Sequence, residues 1–241
     1  MTETQRIAMW SGPRNISTAM MRAWENRPDC LVMDEPFYGA YLVDTGLSHP
    51  MRDAVIAGMQ TDWQDVASHC ATRSDAPIIF QKHMCQHMVA GAPLEWMDSC
   101  ANAFLIRPPG EVVTSFNRKF PDMRAEDLGF QRQAELFDRV CQKTGSAPPV
   151  IEARDVLERP EEMLRALCAC LNVAFDQTML TWPAGRRDSD GVWAAHWYGE
   201  VERSTGFAAP QPAHAPPLEL ASIVEQCAPH YEAMRAHRLE V

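Results

Sequence analysis

The sequence is poor in lysine, in long apolar runs and in closely spaced cysteine pairs, and these shortages narrow its functions. Of its 22 basic residues only Lys82, Lys119 and Lys143 are lysines, so each of the three invites attention. The longest apolar stretches resemble Ala103-Phe104-Leu105-Ile106, far below the roughly 18 to 20 residues a bilayer-crossing helix needs. No membrane partner is expected. The phosphate-loop pattern Gly-x-x-x-x-Gly-Lys-Ser/Thr occurs nowhere, which disfavours ATP or GTP chemistry of the usual kind. The eight cysteines are scattered, and the nearest pair, Cys168 and Cys170, has the wrong spacing for a redox or zinc motif. Metal binding by cysteine is not expected. No apolar segment follows the charges of Met-Thr-Glu-Thr-Gln-Arg at the N-terminus. The expectation is a cytoplasmic protein whose thiols stay reduced in the core. A formal net charge of −10 opposes nonspecific attraction to nucleic acid or anionic membrane, so no nucleic-acid partner is expected.

Apolar content suffices for one full core. At 241 residues and 46% hydrophobic the chain is near the upper size of a single-core domain, and one domain over residues 1–241 is expected. Short apolar runs at Arg6 to Trp10, Cys30 to Met33, Ile78 to Phe80, Ala103 to Ile106 and Val150 to Ala153 read as buried strands. Between them, helical patterns cover Ile16 to Trp24, Asp62 to Ala71, Pro109 to Phe120, Glu126 to Lys143, Pro160 to Leu171 and Leu218 to Arg238. Strands alternating with helices predict an α/β fold: a three-layer parallel sheet with flanking helices. Pro160 suits a first helical turn, whereas Pro229 is expected to kink or break the last helix. Residues 208–217, rich in proline and alanine, read as a surface connection to a docking C-terminal helix at about 218–238. The loop-like stretch at about 182–207 carries Trp182, Trp193, Trp197, Tyr198 and Phe207. So aromatic a loop is expected to fold over something.

Two segments carry the chemistry. The first strand runs into Ser11-Gly12-Pro13-Arg14-Asn15 and then Ser17-Thr18 at a helix start, which offers backbone N–H groups, hydroxyls and a cation to an anion. An ordinary strand-to-helix turn capped by Ser or Asn is the plainer alternative. The second is Arg107, ending the fourth strand, with Ser115 eight residues later on the next helix. Together they would grip one phosphate from two sides, the Arg bidentately.

These two segments resemble the PAPS-dependent sulfotransferase family. Pro13-Arg14-Asn15-Ile16-Ser17-Thr18 looks like its 5′-phosphosulfate loop, and Arg107 to Ser115 looks like its 3′-phosphate motif, with the spacing kept. Ile151-Glu-Ala-Arg-Asp-Val-Leu, Pro160 and its helix, and Asp190-Gly-Val-Trp193-Ala-Ala-His196-Trp197 extend the likeness over most of the chain. The resemblance implies a P-loop NTPase-like sulfotransferase fold, PAPS as donor with PAP as product, no metal, and a small-molecule acceptor. By the same likeness Gly12, Pro13, Arg14, Asn15, Ser17, Thr18, Arg107, Ser115, Arg186 and Arg187 would hold the donor, the last two standing in loosely for the family's basic cap. Two departures stand out: Ile16 replaces the usual loop glycine, and Arg14 replaces the lysine of many soluble members, so Arg14 is expected to stabilise charge and not to give up a proton.

The resemblance leaves the base open. Glu35 in Asp34-Glu35-Pro36-Phe37 matches the Glu-Pro-Phe segment whose glutamate is the base in carbohydrate-type and bacterial members, and His83 lies one position out of register with the Lys-x-His of the small-molecule branch. Lys82 would balance charge on the leaving phosphate or pair with Glu35. His87 lies four residues after His83, but a metal there lacks a third ligand. Phe37, Tyr38, Tyr41, Trp193, Trp197 and Tyr198 fall in segments expected around the acceptor, though core packing is the simpler account of such aromatics. A kinase-like nucleotide-binding protein and a non-catalytic PAP- or PAPS-binding relic remain the alternatives.

Overall fold

The computed structural model describes residues 4–212 and 216–241. Its centre is β1, Gln5–Ser11, whose residues from Ile7 to Ser11 are all buried. A strand covered on both faces reads as a continuous apolar run and not as an alternating one. It is flanked by β3 (Ile78–Met84) and β4 (Ala101–Ile106), with β2 (Cys30–Asp34) beyond β3 and β5 (Val150–Glu152) beyond β4; the order β2-β3-β1-β4-β5 is parallel throughout. From β1 the chain passes through α1, Ser17–Glu25, to β2, and it later crosses from β3 to β4 on the other side of β1. Connections thus diverge at the carboxyl end of β1, and such a switch point opens the crevice in which parallel α/β sheets bind ligands.

Alternation along β1 divides the core into two layers. Ile7 and Met9 join the layer containing Met20, Trp24 and the apolar face of α8 (Pro160–Cys170). Ala8 and Trp10 join the other, against α4 (Trp63–Thr72), α6 (Phe130–Thr144) and α10 (Ala221–Arg235). The fold class expected from the alternation of elements is therefore the observed one: a five-stranded parallel sheet with helices on both faces.

Element boundaries differ where polar residues are buried or where short helices escape periodicity. β3 continues past Phe80 through Gln81, Lys82, His83 and Met84, all buried, because their polar groups find partners inside the protein: Gln81 Nε2 donates to Cys70 O at 2.7 Å and His83 Nε2 to Gln81 Oε1 at 3.0 Å. The helix expected over 126–143 is interrupted at Gly129, whose φ of 69° separates a 3₁₀ turn from α6. Helices α2 (Tyr38–Thr45), α3 (Arg52–Gly58) and α7 (Ala153–Glu158) were not foreseen, being short, and α5 ends at Asn117 (Pro109–Asn117). Pro229 does not break α10, which continues through it. The missing N–H costs one backbone bond, and burial of Cys227, Tyr231 and Met234 on either side holds the helix against the sheet.

The aromatic loop does fold over the sheet's carboxyl edge, with the four-residue α9 (Ala194–Trp197) inside it and Trp182, Trp193 and Tyr198 buried. Of the connection at 208–217, residues 213–215 lie outside the described residues. All eight cysteines are free, five of them buried. Among the described residues no helix is long and apolar enough to cross a membrane.

Candidate active site

A cavity of about 1170 Å³ lies at the switch point. One wall is the loop from β1 into α1. Gly12 is required there, since a Cβ on it would stand 2.7 Å from Leu128 O. Asn15 pins the loop by donating through Nδ2 to Leu105 O at 2.6 Å. Arg14 and Ile16 both adopt left-handed backbone, φ 57° and 46°, a region costly for β-branched Ile16 in particular. This conformation leads directly into α1, whose first residues Ser17 and Thr18 line the cavity with the free N–H groups of a helix start.

Of the second segment Arg107 comes to the same wall, whereas Ser115 does not line the cavity and touches the wall through Arg14. Arg107 Nη1 donates to Arg14 O at 2.7 Å, and Arg14 Nε donates to Ser115 Oγ at 3.0 Å. Arg107 is spaced by Glu111, which it meets at 3.0 Å and which also pairs with Arg154 at 3.1 Å. Lys119, on the turn after α5, lines the cavity with its ammonium 4.7 Å from the Trp197 ring and donates to His196 O at 2.8 Å. Arg14, Arg107, Lys119 and Arg154, the hydroxyls of Ser17 and Thr18 and the α1 start form a donor set suited to a multiply charged phosphate ligand. Partial burial and the neighbouring Arg107 and Arg118 lower the proton affinity of Arg14 against a raising contribution from Glu200, 3.9 Å away.

Facing this wall is a buried knot of charge around Lys82. Its Nζ donates to Asp34 Oδ1 at 2.9 Å, to Tyr198 OH at 2.8 Å and to Glu35 Oε1. Desolvation pulls the pKa of this lysine down, but Asp34 and Glu35 overcompensate, and it lies well above the ordinary value. Glu35, one residue past the end of β2, stands on left-handed backbone, φ 47°, and its N–H is held by Lys82 O at 2.9 Å. Burial first, and the Asp34 charge beside it, raise its carboxyl above the usual range even though Lys82 pulls the other way. Its second oxygen, Oε2, lies 3.9 Å from His87 Nδ1, a buried nitrogen without a hydrogen-bond partner. Burial keeps His87 neutral at ordinary pH, its pKa being well below 6.5.

Other residues named from sequence are placed elsewhere. Alternation along β3 sends His83 to the face opposite Lys82, where it stacks on Trp10 at 4.6 Å, lies outside the cavity lining and is pushed down to about 3 by burial and by Lys82. His83 and His87 are therefore no ligand pair, and among the described residues no cluster of three or more His, Cys, Asp or Glu could hold a metal ion. Arg186 is exposed, and Arg187 donates to Pro183 O at 2.6 Å and faces Glu25 at 3.8 Å, away from the cavity. Phe37 packs in the core against Trp63 and Trp96, whereas Tyr38, Tyr41, Trp193, Trp197 and Tyr198 do line the cavity. Sequence reasoning missed Asp34, which it quoted only as the neighbour of Glu35, and Glu111, and it singled out Lys119 without placing it. Scarcity of lysine was a usable signal: two of the three lysines line the cavity, while Lys143 pairs with Asp98 on the surface.

The sulfotransferase domain family matches residues 5–238. Two Arabidopsis thaliana proteins, branched-chain-amino-acid aminotransferase-like protein 2 and protein 1, are each 35% identical to this chain over 96% and 98% of its length. Those stretches make up 41% and 43% of the two proteins, so the chain spans about two fifths of the length of these curated relatives. Among solved structures, the sulfotransferase domain from the curacin biosynthetic pathway superposes with a TM-score of 0.53 at 17% identity, covering 95% of this chain and 99% of that one. A sulfotransferase from Alicyclobacillus acidocaldarius superposes with a TM-score of 0.60 at 11% identity, covering 98% and 97%. At such identities the structures speak for the fold, and the family match extends over nearly the whole chain: this protein belongs to the sulfotransferase domain family.

Proposed function

We propose that this chain is a catalytic domain that transfers a sulfuryl group from PAPS to a hydroxyl or amine of a small organic acceptor, in the cytoplasm. One observation carries the reading: a single cavity is walled on one side by the cationic loop and helix start and on the other by the Glu35–Lys82 pair. When bound, PAPS supplies the sulfuryl group. Ser17, Thr18 and the α1 start would hold its 5′ end, and Arg107 and Ser115 its 3′ phosphate. Arg14 cannot release its proton and acts as fixed positive charge where negative charge grows. Glu35 Oε2 takes the acceptor's proton; Oε1 is occupied by Lys82, which leaves Oε2 as the free oxygen. A raised carboxyl is a stronger base than an ordinary one near neutral pH. His83 is set aside for this role because it faces the other layer of the core. Tyr38, Tyr41, Trp193 and Trp197 give the acceptor an apolar, partly aromatic seat.

Calorimetry with PAP, AMP and ATP, together with transfer from labelled PAPS, tests this. PAP is expected to bind far more tightly than AMP or ATP, and label is expected to leave PAPS. Preference for ATP would favour a kinase-like nucleotide protein, and tight PAP binding with no transfer to any acceptor would leave a non-catalytic relic.

A further inference from the structure

Arg107 reaches the cavity with much of its guanidinium already spent. Its Nε donates to Glu111 Oε2 at 3.0 Å and its Nη1 to Arg14 O at 2.7 Å, so among the described residues Nη2 is the nitrogen left without a partner. Ser115, the other half of the grip expected from sequence, accepts from Arg14 Nε at 3.0 Å and does not line the cavity. Arg186 is exposed and Arg187 is turned to Pro183 and Glu25, so neither stands at this wall. A phosphate is held best by paired, charge-assisted bonds from a guanidinium fork. One free nitrogen leaves the grip incomplete.

A second cation stands beside it. Strands β4 and β5 end side by side with Ile106 opposite Glu152, so Arg107 and Arg154 leave the sheet at one place. The Glu111 carboxylate lies between their guanidiniums: Oε2 accepts from Arg107 Nε and Oε1 from Arg154 Nη2 at 3.1 Å. Arg154 lines the cavity and is half-buried. Its Nη2 also approaches Gln211 O at 3.4 Å, its Nη1 meets Glu158 only at 3.6 Å, and its Nε has no partner among the described residues. The other cations of the lining are engaged elsewhere: Lys82 with Asp34, Glu35 and Tyr198, Lys119 with His196 O and the Trp197 ring, and Arg124 with Asp127 at 3.7 Å. Arg154 alone shares a carboxylate with Arg107.

We propose that Arg154 is a donor-binding residue that holds the 3′ phosphate of the sulfate donor together with Arg107. The inference rests on the PAPS reading given above. Glu111 bonds one side of each guanidinium and so sets their spacing before any ligand arrives, which lowers the ordering cost of binding. The phosphate then meets Arg107 Nη2 and the unspent nitrogens of Arg154. Both groups stay charged at every working pH. A cation at the start of α7 thus fills the place that the sequence assigned loosely to Arg186 and Arg187.

The test is calorimetry with PAP and AMP, which differ by the 3′ phosphate alone, on the parent and on Arg154→Ala. The variant is expected to weaken PAP about tenfold or more, the scale of a hydrogen bond to a charged group, and to leave AMP nearly unchanged. Equal losses for both ligands, or none for either, would overturn the proposal. Arg154→Gln, which can still bond Glu111, serves where alanine disturbs the fold: the same PAP-specific loss is expected, and an unchanged preference overturns the proposal. Arg124→Ala controls for general charge, since it removes another cation of the lining. It is expected to alter the preference for PAP over AMP little, and a change as large as that of Arg154→Ala would make Arg154 part of a diffuse field and defeat its assignment. A parent that binds PAP no better than AMP fails the donor reading itself, whereas a parent that prefers PAP, with Arg154→Ala keeping that preference, defeats only the role of Arg154.

Discussion

Glu35 stands on left-handed backbone just past the end of β2 and is buried beside Asp34, a combination of strain and desolvation that clusters at functional sites. Because its folded pKa is raised, the neutral form is favoured in the folded state, and the stability this gives is present at low pH and lost as pH rises through the folded value. Glu35→Gln removes that titration. The variant is therefore expected to gain stability relative to the parent as pH rises above the ordinary carboxylate range, as read by denaturant midpoints, while transfer is abolished and PAP still binds. On the opposite wall, Arg107→Ala should weaken PAP far more than AMP in calorimetry, since AMP has no 3′ phosphate for it to hold. Equal losses for both ligands would move Arg107 away from that phosphate. Arg14→Ala should lower turnover more than donor affinity, because its charge opposes one that develops during transfer.

At the scale of elements, the loop from β1 into α1 depends on packing beneath it as much as on its own residues. Gly12 touches the Leu128 carbonyl from the 3₁₀ turn before α6, so Gly12→Ala is expected to shift the loop and weaken PAP binding roughly tenfold or more, at an overpacking cost of about 1 to 3 kcal/mol. Thermal unfolding with and without PAP separates the two effects. Helix α10 makes the converse case. A proline in mid-helix forfeits one backbone bond and crowds the preceding turn, yet α10 persists through Pro229 because its apolar side is seated on the sheet and α6. Pro229→Ala is accordingly expected to stabilise the protein by about 1 kcal/mol or more, measured as a higher denaturant midpoint with unchanged slope.

Over the whole molecule, the aromatic loop ties the carboxyl edge of the sheet to α1. Arg22 and Asp190 form a buried pair at 2.6 Å, with Arg22 also reaching Glu25 at 3.2 Å, and Asp190 accepts the Arg187 N–H at 2.8 Å. Loss of one partner leaves the other charge buried and alone, so Asp190→Ala should cost about 3 to 5 kcal/mol. It should also lower transfer, since residues 191–198 then lose their anchor next to the Asp34–Lys82 knot. Chemical denaturation gives the first quantity and transfer at saturating PAPS the second.

Local sequence sufficed for the class of fold and for two segments, the loop after β1 and Arg107, that the fold brings together at one cationic wall. A central parallel strand announces itself as an unbroken apolar run, a phosphate loop needs residues only a few positions apart, and the Arg107-to-Ser115 spacing spans one strand end and two helical turns. Glu35 was legible because it sits in one short segment with Pro36 and Phe37. The direction of His83 was not, since whether a strand ends at Phe80 or continues to Met84 decides its face, and the continuation depends on Gln81 and Lys82 finding buried partners from α4 and β2. Only tertiary structure could join Asp34, Lys82 and Tyr198, which lie 48 and 116 residues apart along the chain. A hydrogen bond acts over about 3 Å in space, and no sequence period encodes a contact between a loop and a strand end so far removed.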